Sequence, residues 1–257
     1  MSNQVKAIMT AQQLGYPELR GSIQTLKYPA FGEIKLDGEL AWHIWNEKED
    51  VIFGKNGKIT EHAVLDGVSV SLGETHGITI GELYAYAGKF GDLYKLKDPK
   101  FQLRYRPFDI IQLDGEDLRS KPLIERKEIL LSLLPGLAMP RLIENVSDAL
   151  AYAKFVMSEG YEGVVLKNLE ERYKIGPCAW VKVKTKDENV YAVQNIDPVQ
   201  ERIEFSVQMA NGKTRLVGVK CLHRDKALLK VGDLVKIEHQ GVLALGGLRH
   251  PVYKGKA

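Results

Sequence analysis

Glu33-Ile-Lys-Leu-Asp-Gly38 reads as a strand that stops at a turn, with a lysine at the strand end and an Asp-Gly pair to reverse the chain. Phe31 to Lys35 and Glu39 to Trp45 supply the strands on either side, which puts Lys35 at a strand end, facing a pocket. Two further strings follow in order, Glu162-Gly-Val-Val-Leu-Lys167 and Trp180-Val-Lys-Val-Lys184. Lys182 and Lys184 are one residue apart in an expected strand, so they project to the same side. One lysine, several carboxylates and two more lysines are the parts needed to attack a nucleoside triphosphate at its α-phosphorus. A free lysine has a pKa near ~10.4, so only about one in 2,500 is unprotonated at neutral pH. Burial and the cationic field of Lys182 and Lys184 are expected to lower that value at Lys35, while Asp37 opposes them unless a divalent metal sits on it. K-x-D-G is also an ordinary surface turn, arising by chance in roughly one chain in twenty of this size. The lysine string alone therefore decides nothing.

The rest of the chain adds Ile80-Gly-Glu-Leu-Tyr84, Phe108-Asp-Ile-Ile-Gln-Leu-Asp-Gly-Glu-Asp-Leu118 and Pro122-Leu-Ile-Glu-Arg-Lys127. This succession resembles the ATP-dependent DNA ligases, from Tyr28-Pro29 to Arg249-His-Pro251. The resemblance implies an α+β nucleotidyltransferase domain, an ATP-grasp-like adenylation domain, at residues 1–186. A small all-β OB-fold barrel that binds DNA is implied at 187–257.

Carried over position by position, the resemblance makes Lys35 the residue that becomes linked to AMP and Glu33 the acceptor for the adenine amino group. Phe108 would stack on the adenine; without the resemblance it reads as a core aromatic beside Ile110 and Ile111. Glu82 would bind the ribose or lie near the metal, and Glu162, with Asp37, would hold that metal. Lys167, Lys182 and Lys184 would contact phosphates, and Arg249 the pyrophosphate or DNA. Two positions depart from the family. Leu40 stands two residues beyond the motif glycine, where an arginine is common, and Lys55 of Gly54-Lys-Asn-Gly57 replaces a second arginine expected on DNA. Leucine contacts neither a ribose hydroxyl nor a phosphate, and lysine lacks the bidentate fork of arginine.

Outward from these motifs, Ser120 and Pro122 are expected to open a helix with Leu123, Leu130, Leu131 and Leu134 on its apolar stripe, ended by Pro135-Gly136. Ser147 is expected to begin a second helix that stops at Gly160. Strands alternating with helices up to about Lys184 suggest a mixed α/β arrangement. Beyond Lys186-Asp-Glu-Asn189 the pattern changes. Ile203, Phe205, Val207 and Met209 alternate on one face, Ala210-Asn-Gly-Lys213 turns into Thr214 to Lys220, and Val231-Gly-Asp233 turns into Leu234 to His239. Short one-faced strands over such a length fit a five-stranded oligonucleotide-binding barrel.

Composition agrees without deciding. The formal charge is +3, and from Lys186 onward there are 12 Lys and Arg against 8 Asp and Glu, leaving 24 against 25 before it. The positive excess thus lies in the segment expected to grip phosphates. Two cysteines, Cys178 and Cys221, are too few for a disulfide framework, which suits a reducing, intracellular setting. Neither a secretory signal nor a run of roughly 20 apolar residues is present, so no membrane partner is expected.

These readings together predict an ATP-dependent DNA ligase that seals nicks in duplex DNA through a lysyl-AMP and a 5′-adenylated DNA intermediate. It is expected to be a monomer and to use Mg2+, with Mn2+ as a possible substitute. ATP is expected rather than NAD, because the chain lacks room for the extra modules of the NAD-dependent class. A bacterial or phage-infected cell is the expected setting, from a similarity to phage ligases around Tyr28-Pro29 and Leu248 to Pro251. The alternatives are an RNA ligase, for which Leu40 is the best argument, a capping guanylyltransferase, or a non-catalytic nucleic-acid-binding relative.

Overall fold

The structure, a computed structural model, describes residues 14–60, 63–66, 72, 75–87, 90–91, 96, 98–184, 186–197, 199–209, 212–221, 229–242 and 247–257. The polar N-terminal stretch before Leu14, and Ala210-Asn211 of the expected hairpin turn, lie outside these residues. The chain divides into two compact units, Met1–Val183 and Lys184–Ala257.

Among the described residues the first unit is built on two main sheets, with a separate two-stranded pair, Pro17–Leu19 and Gly176–Cys178. The larger runs in the order Glu116–Asp117, Gln102–Leu113, Gly77–Ala87, Glu39–Asn46, Glu49–Gly54, Ile59–Thr60, with short strands Val64–Leu65 and Phe90–Gly91 at its sides. The smaller runs Arg141–Ile143, Ala30–Lys35, Gly163–Asn168, Val181–Lys184. The alternating α/β reading needs correction, because the long strands pair antiparallel. Two short pairings are parallel, Pro17–Leu19 with Gly176–Cys178 and Val64–Leu65 with Gln102–Leu113. Tight hairpins join Glu39–Asn46 to Glu49–Gly54 and Gln102–Leu113 to Glu116–Asp117, and the largely antiparallel pairing makes the unit α+β.

Period-two alternation makes the smaller sheet two-faced. Ala30, Ile34, Val164 and Leu166 pack on Ala149, Ala153 and Val156 of the Val146–Ser158 helix. Each fully buried Leu or Val in this layer contributes about 1.5–3 kcal/mol. Gly32 lets the helix come this close, since a Cβ there would stand 2.9 Å from the Tyr152 ring. The opposite face carries Phe31, Glu33 and Lys35, with Gly163, Val165 and Lys167 across from Lys35, Glu33 and Phe31. The expected start at Ser147 shifts slightly, for Asn145 caps this helix by accepting from the Asp148 amide.

Ser120 does not cap the other helix, Leu123–Leu133. It sits in a 3-10 turn, Leu118–Ser120, that Asp117 caps, and Pro122 is extended (ψ 153) at the helix cap. Leu123 and Leu130 are buried as the apolar stripe requires, but Arg126 and Lys127 are buried with them. No helix among the described residues is long and apolar enough to cross a membrane.

The second unit holds two three-stranded antiparallel sheets, ordered Asp187–Ala192, Leu234–His239, Val252–Lys256 and Asn195–Asp197, Arg202–Gln208, Thr214–Lys220. Ile203, Phe205 and Val207 are buried together with Val235 and Ile237. Among the described residues six strands stand where five were expected, and their pairings do not close into a barrel.

Candidate active site

Lys35 ends its strand at the Leu36-Asp37-Gly38 turn. A side chain at Gly38 would bring a Cβ within 2.3 Å of the Leu83 carbonyl oxygen, so only glycine lets this turn lie against the Gly77–Ala87 strand. That approach brings Glu82 to the lysine, and Glu82 accepts a hydrogen bond from the Gly38 backbone. The Lys35 Nζ donates to Glu162 Oε2 at 2.7 Å and to the Leu36 carbonyl at 3.1 Å. Burial pushes the Glu82 carboxyl up to about 7. The charge of Lys35 opposes this, and the carboxylates of Glu162 and Asp37 add to it. Lys35, Glu82, Glu162 and Asp37 therefore share one electrostatic neighbourhood.

Glu33 lies on the same strand face, two residues back, and is held by two ammonium groups. Lys127 Nζ stands 2.7 Å from its Oε1, and Lys167 Nζ 2.8 Å from its Oε2. The Lys167 contact is the diagonal one that the register dictates, since Val165 is directly opposite Glu33. Burial raises the Glu33 carboxyl, but Lys127 and Lys167 outweigh it and hold the group below its ordinary value. Lys167 is pulled down to about 8, first by burial and then by Lys127, with Glu33 opposing. Its ammonium also lies 4.4 Å from the Phe108 ring centroid and 4.3 Å from that of Trp180, and the two rings meet edge to face at 6.2 Å.

Lys127 is set in place by its neighbour. Arg126 forks onto Asp109 with two bonds of 2.8 Å, both side chains fully buried, and its Nη1 donates to the carbonyls of Lys121 (2.6 Å) and Glu171 (3.2 Å). The pair locks the helix to the Gln102–Leu113 strand, one residue from Lys127 on one side and from Phe108 on the other. Sequence reasoning missed Lys127, Arg126, Asp109 and Trp180 as site residues. The one signal was their place inside the quoted strings.

The remaining expected residues are distributed as follows. Lys182 is exposed on the Val181–Lys184 strand. Lys184 ends that same strand, at the division between the units, and Arg249 lies in the second unit, where its backbone pairs with Gln240 and Gly241. Lys167, expected on a phosphate, is buried with its ammonium 2.8 Å from Glu33. Lys55 is exposed, its Nζ 3.6 Å from the Tyr16 ring centroid. Leu40 packs against the apolar cluster of Trp42, Phe53 and Ile80. Among the described residues no three His, Cys, Asp or Glu side chains gather as a ready metal cage. Asp37 and Glu162 beside Glu82 instead suit magnesium, which takes one or two carboxylates and completes its shell from substrate phosphates and water.

Residues 5–184 match the model of the ATP dependent DNA ligase domain. The chain belongs to this family. Among curated ligases, DNA ligase 2 of Thermofilum pendens is 25% identical over 215 residues, covering 74% of this chain and 35% of that protein. A probable DNA ligase of Aquifex aeolicus is 38% identical over 94 residues, 33% of this chain and 16% of the relative. The ligase chain thus matches about a third or less of the length of these two relatives. Among solved structures, a Lig E DNA ligase aligns at a TM-score of 0.68 with 16% identity, covering 95% of this chain and 99% of its own. The ligase domain of Mycobacterium tuberculosis LigD aligns at 0.57 with 16% identity, covering 95% of each chain. Both likenesses carry the fold.

Proposed function

We propose that this chain is an ATP-dependent DNA ligase that seals nicks in duplex DNA, with an adenylation domain at residues 1–186 and an OB-fold DNA-binding domain at 187–257. The observation that carries the reading is Lys35 Nζ, 2.7 Å from Glu162 Oε2, at a glycine-tightened turn against Glu82. Lys35 attacks as the free amine, and Glu162 Oε2 is the acceptor in place for the proton it gives up. The Nζ–phosphorus bond forms as the bond to the β-phosphate oxygen breaks, and pyrophosphate leaves with the electron pair. An oxygen of the 5′-phosphate at the nick then takes the adenylyl group, and the Nζ–phosphorus bond breaks with Lys35 regaining a proton. Finally the 3′-hydroxyl oxygen attacks the 5′-phosphate phosphorus and AMP departs.

Asp37 and Glu162 would hold a magnesium or manganese ion, which when bound neutralises charge on the phosphate oxygens. Lys182 and Lys184 would stabilise the charge that develops on the α-phosphate, Arg249 would meet pyrophosphate or DNA, and Lys55 would meet DNA. At the base end, Phe108 would stack on the adenine. Glu33, fixed by Lys127 and Lys167, would present its carboxylate to the adenine amino group, and Glu82 would take a ribose hydroxyl. The expected form is a monomer acting on nicked double-stranded DNA.

The test is to incubate the protein separately with labelled ATP, GTP and NAD, then offer nicked DNA and nicked RNA. Label from ATP alone, transferred to nicked DNA, is the expected result, and Lys35→Ala should take up none. Label retained by Lys35→Ala would overturn the reading. Leu40 favours RNA as the second reading, and sealing of nicked RNA in preference to DNA would establish it.

A further inference from the structure

The sheet face that carries Glu82 continues past it. The registers put Leu40, Glu82 and Arg106 in one cross-strand row, and Tyr84 opposite Arg104 in the next row outward. Residues directly opposite in an antiparallel pair share a face. Arg106 and Arg104 therefore lie on the face that holds Glu82 against the lysine turn. Both are fixed by one carboxylate. Arg106 bonds to Asp66 through Nε and Nη2, Arg104 Nη1 stands 3.5 Å from Asp66, and the Tyr84 hydroxyl donates to the same group. The Arg104 guanidinium lies 3.7 Å from the centroid of the Tyr86 ring.

Asp66 is 7% exposed, while the arginine side chains are 28% and 30% exposed. One buried carboxylate requires one cation. The second leaves a net positive charge, and both side chains remain partly open to solvent. A guanidinium presents a planar fork that matches phosphate oxygens. Both forks are held by Asp66, and Arg104 also lies over Tyr86, so part of their rotamer freedom is already lost on folding and binding a phosphate costs less entropy.

We infer that Arg106 and Arg104 form a phosphate track for the nucleic-acid strand whose 5′-phosphate receives AMP, with Arg106 taking the phosphate nearer to Lys35. The row that Leu40 leaves without charge thus gains a cation two strands away. This inference rests on the ligase reading above and deepens it.

The test compares the unaltered 257-residue chain with Arg106→Ala, Arg106→Lys and Arg104→Ala in two assays across a salt series. One measures labelling of Lys35 by ATP without DNA, and the other measures transfer of AMP to a nicked duplex bearing a 5′-phosphate. Arg106→Ala is expected to lose at least tenfold more in transfer than in labelling. It should also flatten the slope of log binding constant against log salt by about one. Arg104→Ala should do the same more weakly, and Arg106→Lys should restore the salt slope but only part of the transfer. If folded Arg106→Ala transfers AMP normally with an unchanged slope, Arg106 is only a counter-ion for Asp66 and the track is wrong. Should Arg106→Ala fail to fold, Arg106→Lys decides, since it keeps the ion pair, and undiminished transfer by that variant overturns the proposal. Failure of the unaltered protein to take label from ATP would instead sink the ligase reading.

Discussion

Two carboxylates in the first unit each hold two cations, Glu33 with Lys127 and Lys167, and Asp66 with Arg104 and Arg106. Around Glu33 the cations are sealed in, at 5% and 2% side-chain exposure. Around Asp66 they face outward. A surplus positive charge in the interior is costly, and lysine can shed its proton more readily there: burial first, and then Lys127, pull Lys167 down to about 8, with Glu33 opposing. Arginine has no such escape at physiological pH, so its surplus stays as a fixed charge and is tolerable only where water or a phosphate reaches it. The difference between the regions lies in which cation each uses and where that cation points.

The largest expected effect breaks or upholds that contrast. Glu33→Ala would leave two buried ammonium groups without a counter-charge and is expected to cost about 3–5 kcal/mol. Asp66→Ala frees guanidiniums that already touch water, and its cost should stay near ~1–2 kcal/mol, mainly from the Tyr84 hydroxyl that loses its acceptor. Urea unfolding of both variants measures the gap. Equal losses would mean that the two clusters are the same kind of structural ion pair.

A smaller effect comes from Glu82, the carboxylate that the cations do not neutralise. Its folded value of about 7 exceeds the ordinary 4.5, so between those values the folded state binds the proton more tightly than the unfolded state. Stability therefore falls as pH rises from about 4.5 to about 7, and above that the penalty is constant. Glu82→Gln is expected to stabilise the metal-free protein at pH 8 by on the order of 2–3 kcal/mol, and by nothing measurable at pH 4. Melting curves at the two pH values suffice. A stabilisation that did not depend on pH would locate the strain in packing rather than in charge.

The positions of the strands were legible because alternation and turn chemistry act locally: Thr214–Lys220 and Leu234–His239 fall where the pattern puts them. Pairing direction was less accessible, since the helices suggested crossovers and only the registers show antiparallel neighbours. Lys35, Glu162 and Glu82 announced themselves through short strings whose residue types match the chemistry. Lys127 and Arg126 did not, because a charged pair on a helix reads as a solvated face. Their burial depends on Glu33 and Asp109, which lie far away in sequence, and Arg106 became visible only through its row with Leu40 and Glu82.

The smallest expected effect on stability is also the most specific test of the Glu33 cluster. Lys127→Met replaces one buried ammonium by an apolar chain of similar length and leaves Glu33 paired with Lys167 alone. Because a carboxylate and one cation already balance, the change should alter stability by less than about 1 kcal/mol, and replacing buried charge by a packed hydrophobe is often neutral. The consequence should appear instead in the proton affinity of Lys167. Burial still lowers it and Glu33 still raises it, but the repulsion from Lys127 is gone, so its value should rise above about 8. An NMR titration of the Lys167 side chain in both proteins reads this directly. A rise would show that the two lysines share one counter-charge, whereas an unchanged or lower value would show that burial alone sets Lys167 and that the surplus-charge account of this cluster is wrong.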